Sequence, residues 1–219
     1  MKYSDGCIVQ FARLPRLGAG KTRLIPSIGA VRALDLHCRL TERMLSRCVA
    51  AQLCPVQLWL DSDGNGNPEV ADWQRRYGIS VHCQQGADLG ERMAHAVAAA
   101  LREYRYLLVV GSDCPVLDGD YLESALARLA DCDQHNRPQA VIGPAEDGGY
   151  VLFGLNRSEP RLFCDIDWGS DGVLAQTLLR LRQLNWPVVR LAPLWDVDHL
   201  QDLQRLVRMD ADFAVNLPD

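Results

Sequence analysis

The chain has 219 residues, 48% of them hydrophobic, and a net charge of −5 from 23 basic and 28 acidic residues. That length supplies one sizeable core and suits one domain better than two. An acidic balance without a long run of one sign argues against extended nucleic-acid or anionic-membrane binding. No apolar stretch nears the roughly 20 residues of a membrane span. The N-terminus, MKYSDGCIVQ, lacks the apolar core of a secretory signal. Eight cysteines stand at positions 7, 38, 48, 54, 83, 114, 132 and 164, none in a CxxC pair and several in apolar runs. They read as reduced thiols of a cytoplasmic protein, not as a disulfide or zinc framework.

In chain order, Cys7–Phe11 reads as a buried strand and Ile28–Ala51 as a long amphipathic helix with Val31, Leu34, Leu40, Met44 and Leu45 at helical spacing. Val56–Leu60 follows as a strand, Pro68–Tyr77 as a helix opened by proline, Ile79–Cys83 as a strand and Ala87–Tyr104 as an alanine-rich helix. Tyr106–Val110 is the most buried-looking strand. Asp118–Asp131 is a helix with an aspartate near its start. Ala140–Gly143 and Tyr150–Gly154 are strands around a glycine turn, followed by a helix at Asp171–Leu184, a strand at Val188–Leu191 and a final helix at His199–Met209. Alternating strands and helices imply a mostly parallel sheet covered on both faces, with ligands beyond the carboxyl ends of the strands.

Three post-strand loops carry candidate chemistry. The first, FARLPRLGAGKTRL at Phe11–Leu24, is glycine-rich and basic, a pattern that holds phosphates through close backbone approach. Only two of the 23 basic residues are lysines, Lys2 and Lys21. Lysine in that loop suggests that a compact ammonium is wanted there. The second loop holds Gly111-Ser112-Asp113-Cys114-Pro115, where Asp113 either caps the next turn or binds a divalent metal with a phosphate. The third is Asp196-Val197-Asp198-His199, expected to turn one of its two carboxylates to the site. Asp198 also stands where it would cap the final helix. Glu146-Asp147-Gly148-Gly149-Tyr150 is either a plain hairpin turn or an acidic turn that contacts a hydroxylated substrate. Gly86–Arg92 opens a helix whose first N–H groups either meet a nucleotide or are capped by Asp88.

Two other motifs are weaker. Gly20-Lys21-Thr22 fits the end of a Walker A loop, but Pro15 replaces its first glycine and Pro26 would break the helix that must follow. Asp61-Ser62-Asp63-Gly64-Asn65-Gly66 opens like a calcium loop. However, Asp72 replaces the bidentate glutamate and Pro68 interrupts it, so it reads as a strand-to-helix turn. Cys114 has no nearby histidine and reads as a packing residue.

Six segments in order, FARLPRLGAGKTRL, GADLGERM, VGSDCPVLDGDYL, GPAEDGGYVLFGL, DIDWGSDGVLAQTL and DVDHLQDL, resemble the bacterial DUF2064 family. Its members are predicted glycosyltransferases of GT-A type within the nucleotide-diphospho-sugar transferase superfamily. The resemblance implies an α/β, three-layer αβα sandwich with a mostly parallel mixed sheet of Rossmann-like type. It implies one domain over 1–219, with a nucleotide-binding half at about 1–115 and an acceptor-binding half at about 116–219. Phe11, Ala12, Arg13, Gly18, Lys21, Arg23, Leu89, Gly90, Arg92 and Ser112 would contact the nucleotide. Asp113 and Asp198 would hold Mg²⁺ or Mn²⁺, and Asp147, Gly148, Gly149, Tyr150 and Trp168 would meet the sugar or acceptor. Lys21, Asp113 and Asp147 are the catalytic candidates. The chain departs from the family pattern at Arg13, at Ser170-Asp171 and at His199-Leu200-Gln201.

The implied partners are a nucleotide or nucleotide-sugar donor and a small-molecule acceptor. The same architecture also serves nucleotidyl transfer, in which a phosphorylated small molecule attacks a nucleoside triphosphate and pyrophosphate leaves, as in 2-phospholactate guanylyltransferases. A non-catalytic nucleotide-binding protein is the third alternative.

Overall fold

The computed structural model describes residues 1–214; the last five residues of the expected acceptor-binding half lie outside the described residues. Seven strands form one sheet: β1 (Gly6–Ala12), β2 (Val56–Leu60), β3 (Ser80–Cys83), β4 (Tyr106–Val110), β5 (Ala140–Pro144), β6 (Tyr150–Leu155) and β7 (Val188–Arg190). Their order is β3-β2-β1-β4-β6-β5-β7. The sheet is parallel except for β6, which runs against both β4 and β5. The carboxyl ends of β1, β4, β5 and β7 therefore share one edge with the start of β6. Strand order reverses direction between β1 and β4, and sheets of this kind bind ligands beyond the carboxyl ends of their strands at such a reversal.

Alternate side chains of the central strands supply two separate cores, as a strand covered on both faces requires. Ile8, Leu108 and Val110 pack with Met44, Leu45, Trp73 and Leu126 on one face. Val9, Leu107 and Val109 pack with Met93, Phe153, Phe163 and Leu181 on the other. The first face is covered by α2 (Ala30–Ala50), α3 (Pro68–Tyr77) and α5 (Gly119–Gln134), the second by α4 (Leu89–Ala100) and α6 (Val173–Gln183). This is the αβα sandwich implied above. A third, smaller core joins Leu24, Leu36 and Leu40 to Trp195, Val197, Leu203 and Leu206, and so ties the first loop to the end of the chain. The last two of these lie on α7 (Leu200–Met209).

The helix expected over Ile28–Ala51 is divided. Gly29, at φ 79°, separates a four-residue α1 (Ile25–Ile28) from α2. The buried stripe of α2 then runs through Ala33, Leu36, Leu40, Met44 and Cys48, which leaves Val31 72% exposed. Asn67 caps α3 by accepting the Val70 N–H at 3.2 Å, and Pro68 opens the helix as the sequence indicated. The loop before it is a strand-to-helix turn. Asp61 accepts the Leu14 N–H at 2.8 Å and Asp63 accepts that of Asn65 at 3.0 Å.

All eight cysteines are free. Burial pushes the thiols of Cys48, Cys54 and Cys114 up to about 12. Cys83 and Cys164 alone are exposed. We expect a thiol reagent at neutral pH to modify those two first, with the buried thiols reacting only after denaturant is added. Rapid modification of Cys114 in the native protein, read by peptide mass spectrometry, would contradict the packing assigned to it.

Candidate functional site

A cleft of about 1060 Å³ opens over the carboxyl edge of the sheet. The loop after β1 forms one wall. Lys21 sits there at φ 50°, a left-handed conformation that a non-glycine residue adopts only where its surroundings hold it. A short 3-10 turn, Thr22–Leu24, follows, and burial of Leu24 in the third core anchors it. The Lys21 side chain is only 6% exposed. Its Nζ donates to Asp113 Oδ2 at 2.8 Å and to the Val197 carbonyl, and lies 3.9 Å from Asp198 Oδ1. Arg23 pairs with the other oxygen of Asp198.

Asp113 lies three residues past the end of β4 and keeps 34% of its side chain open to the cleft. Withdrawal from water acts to raise its pKa, but the Lys21 charge and hydrogen bond outweigh that and hold it below the usual carboxylate range. The Asp113 carbonyl accepts the Val197 N–H at 3.0 Å, which fastens the final loop beside it.

The final loop corrects two expectations. Trp195 and Val197 turn into the core while Asp196 and Asp198 both line the cleft, because residues two apart in an extended segment share a face. Nor does Asp198 cap α7. The Asp202 carboxylate accepts the N–H groups of His199 at 2.7 Å and Asp198 at 3.1 Å. The Asp198 side chain is thereby left to the two cations. Burial, together with the charges of Asp113 and Asp147, pushes the Asp196 carboxyl up to about 7.

The β5–β6 turn closes the far end. Asp147 accepts the Gly149 N–H at 2.9 Å, and Gly148 lies against the backbone of Asp171. Tyr150 begins β6 and meets Trp168 edge-on at 6.5 Å between ring centres. Trp168 leans on Gly90: a Cβ at that glycine would come within 2.6 Å of the indole nitrogen.

Of the residues singled out from sequence, Phe11, Arg13, Lys21, Arg23, Leu89, Ser112, Asp113, Asp147, Gly149, Tyr150, Trp168 and Asp198 line this one cleft. Ala12, Gly18, Gly90, Arg92 and Gly148 do not. Gly18 is an exposed turn residue, Gly90 gives Trp168 room, and Arg92 turns back to the Gly86 carbonyl at 3.2 Å. The opening of α4 is capped from within, because Asp88 accepts the Glu91 N–H at 2.8 Å.

His37 lines the cleft and was not picked out. It is 4% exposed in the middle of α2, packs against Gly20, and its Nε2 meets the Arg13 carbonyl at 2.9 Å. Its position on the apolar stripe of a helix looks like that of any core histidine. The one local hint was a glycine before Lys21 that needed a close neighbour.

Among the described residues no group of three or more histidine, cysteine or acidic side chains is arranged to hold a metal ion by itself. The donor chemistry nevertheless suits a cation shared with a ligand. Asp113 and Asp198 flank the same ammonium, and hard divalent cations take one or two carboxylates together with phosphate oxygens.

A mixed α/β sheet with its cleft at the strand-order reversal is an architecture that holds ligands beyond the carboxyl ends of its strands. The chain belongs to the DUF2064 family, "Uncharacterized protein conserved in bacteria", whose model matches residues 44–170. A crystal structure from Desulfovibrio desulfuricans G20, provisionally named a nucleotide-diphospho-sugar transferase, is 32% identical. It aligns over 94% of this chain and 88% of its own, with a TM-score of 0.82. The fold is shared more distantly by CMP:2-keto-3-deoxy-manno-octonic acid synthetase complexed with CTP, at 13% identity, 96% and 100% coverage and a TM-score of 0.59. It is also shared by a cytidylyltransferase from Leptospira borgpetersenii serovar Hardjo-bovis (strain JB197), at 13% identity, 99% coverage of each chain and a TM-score of 0.57. No curated protein matches the sequence. No helix among the described residues is long and apolar enough to cross a membrane.

Proposed function

We propose that this chain is a transferase that moves a sugar from a nucleotide-diphospho-sugar to the hydroxyl of a small acceptor. The observation that carries the reading is the meeting of Lys21, Asp113 and Asp198 at the strand-order reversal, on the wall of a cleft large enough for both substrates. The resemblance to the Desulfovibrio protein supports the donor class.

In this reading Arg13, Lys21 and Arg23 bind the donor's diphosphate, and Phe11, Leu89 and Ser112 border the nucleoside. Asp113 and Asp198 would hold Mg²⁺ or Mn²⁺, which supplies charge stabilisation on the diphosphate. The acceptor oxygen bonds to the anomeric carbon as the bond from that carbon to the diphosphate oxygen breaks. The electron pair leaves with the diphosphate, where the Lys21 ammonium, already fixed in a low-dielectric wall, offsets it. Asp147, at the other end of the cleft, takes the hydroxyl proton. Nucleotidyl transfer is the second reading, favoured by the fold shared with the CTP-bound synthetase and the cytidylyltransferase. There the same cations would stabilise the α-phosphoryl oxygens.

The test is a thermal-shift panel of nucleoside diphosphates, nucleotide sugars and nucleoside triphosphates with Mg²⁺ or Mn²⁺. A ligand at 100 times its dissociation constant stabilises by about 2.7 kcal/mol. We expect the largest shift from a diphosphate or its sugar, diminished by EDTA. A preference for a triphosphate would favour nucleotidyl transfer instead, and no shift by any nucleotide would remove both readings.

A further inference from the structure

The charges of the cleft are segregated. Its lysine and arginine side chains among the described residues, Arg13, Lys21 and Arg23, all belong to the first loop. Most of the acidic groups on the facing side are already answered. Asp113 and Asp198 pair with Lys21 and Arg23, Glu146 pairs with Arg205 at 2.8 Å, and Asp202 is occupied by two backbone N–H groups. Asp147, Asp171 and Asp196 remain, and each lacks an ion-pair partner among the described residues. A nucleotide donor adds negative charge and answers none of them.

An aromatic wall stands beside these carboxylates and was built independently of them. Gly90 lets the Trp168 indole close onto α4, and Tyr150 braces it edge-on. Both rings line the cleft. A fixed ring face next to unanswered carboxylates suits a polyhydroxylated ring that bears an ammonium. The ammonium meets the carboxylates, while the ring's C–H face or the cation itself lies over the indole. A phosphate or carboxylate in the same place would face like charges at short range.

We propose that the acceptor is a hydroxylated amine, cationic at neutral pH, held by Asp147, Asp171 and Asp196 against the Trp168 wall, and that phosphorylated acceptors are rejected. This rests on the donor-and-acceptor reading of the cleft given above. It also separates this reading from nucleotidyl transfer of the 2-phospholactate guanylyltransferase kind, which requires a phosphorylated acceptor.

The experiment measures binding of D-glucosamine, D-glucose and D-glucose 6-phosphate by calorimetry, with ethanolamine and an aminocyclitol as further amines. Each is titrated into the protein alone and into protein saturated with the nucleoside diphosphate that gives the largest thermal shift. Failure of every nucleotide to bind would count against the proposed function, while the titrations of the protein alone would still report on the acceptor end. We expect glucosamine to bind at least about tenfold more tightly than glucose and glucose 6-phosphate to bind more weakly than either. Added salt should narrow the difference. The triple change Asp147→Asn, Asp171→Asn, Asp196→Asn should abolish it, and Asp171→Asn alone, at an exposed loop position, should reduce it without threatening the fold. The proposal is overturned if glucose 6-phosphate binds as well as glucosamine, if no amine binds, or if the preference survives the triple change in folded protein.

Discussion

We expect Asp113→Asn to lower turnover by about 10²–10³, the range seen when one preorganised group that stabilises transition-state charge is removed. The fold should survive. The amide has the shape of the carboxylate, and the position is open to the cleft over 34% of its side chain. What changes is charge. Lys21, 6% exposed, loses the partner at 2.8 Å and retains Asp198 at 3.9 Å, so its ammonium is drawn toward the final loop and away from the position proposed for the donor's phosphates. The melting temperature should fall by a few degrees, consistent with loss of one charge-assisted hydrogen bond worth about 1.5–3 kcal/mol. Far-ultraviolet circular dichroism and a transfer assay on the same preparation separate the two effects. Turnover at the normal rate in that variant would remove Asp113 from the phosphate and metal roles given to it.

The second large effect is structural and falls on the β5–β6 turn that carries Asp147. Gly148 has φ 94°, and a Cβ there would lie 2.1 Å from the Asp171 carbonyl oxygen. Neither neighbour is free to retreat, because Leu174 N–H donates to the Gly148 carbonyl at 2.9 Å and locks the turn to the start of α6. Gly148→Ala therefore combines backbone strain of about 1–3 kcal/mol with overpacking of about 1–3 kcal/mol. We expect a loss of roughly 3 kcal/mol or more in urea denaturation, with Asp147 displaced from the cleft. Gly18→Ala is the control. Its φ of 79° carries the strain, but nothing lies within 4 Å of the added methyl. Equal losses in the two variants would show that the contact with Asp171 yields easily.

Local signals in the sequence were strong where they depended on neighbours in the chain. The helix at Pro68–Tyr77 has its proline start and is followed by Gly78 in the left-handed conformation, and its limits were read correctly. The apolar run Tyr106–Val110 marked the central strand, and the aspartate after it landed on the cleft. The reading failed where one local pattern had two physical outcomes. An aspartate before a helix is a cap or a free carboxylate, and Asp202 decided this by reaching back to the N–H groups at the start of α7. A glycine loop contains glycines for φ, for close packing and for ligand approach alike. Gly18 serves a turn and Gly20 makes room for His37.

The layered α/β architecture and the loops that line the cleft were legible in the chain alone, because strand and helix periodicity and the glycine-lysine and post-strand aspartate signals are all short in range. Which of those loops meet was settled by the packing of distant segments. Lys21 and Asp113 are 92 residues apart, and the pair forms because β1 and β4 are neighbours at the reversal of strand order. Asp198 joins them from 177 positions beyond Lys21 through the third core, where Leu24, Val197, Leu203 and Leu206 bury one another and draw the first loop and the last segment together. Hydrophobic burial is proportional to area and indifferent to direction, so a string of apolar residues states that a segment will be buried but not against what. The pairing of the loops, and with it the segregation of charge across the cleft, follows from the packing.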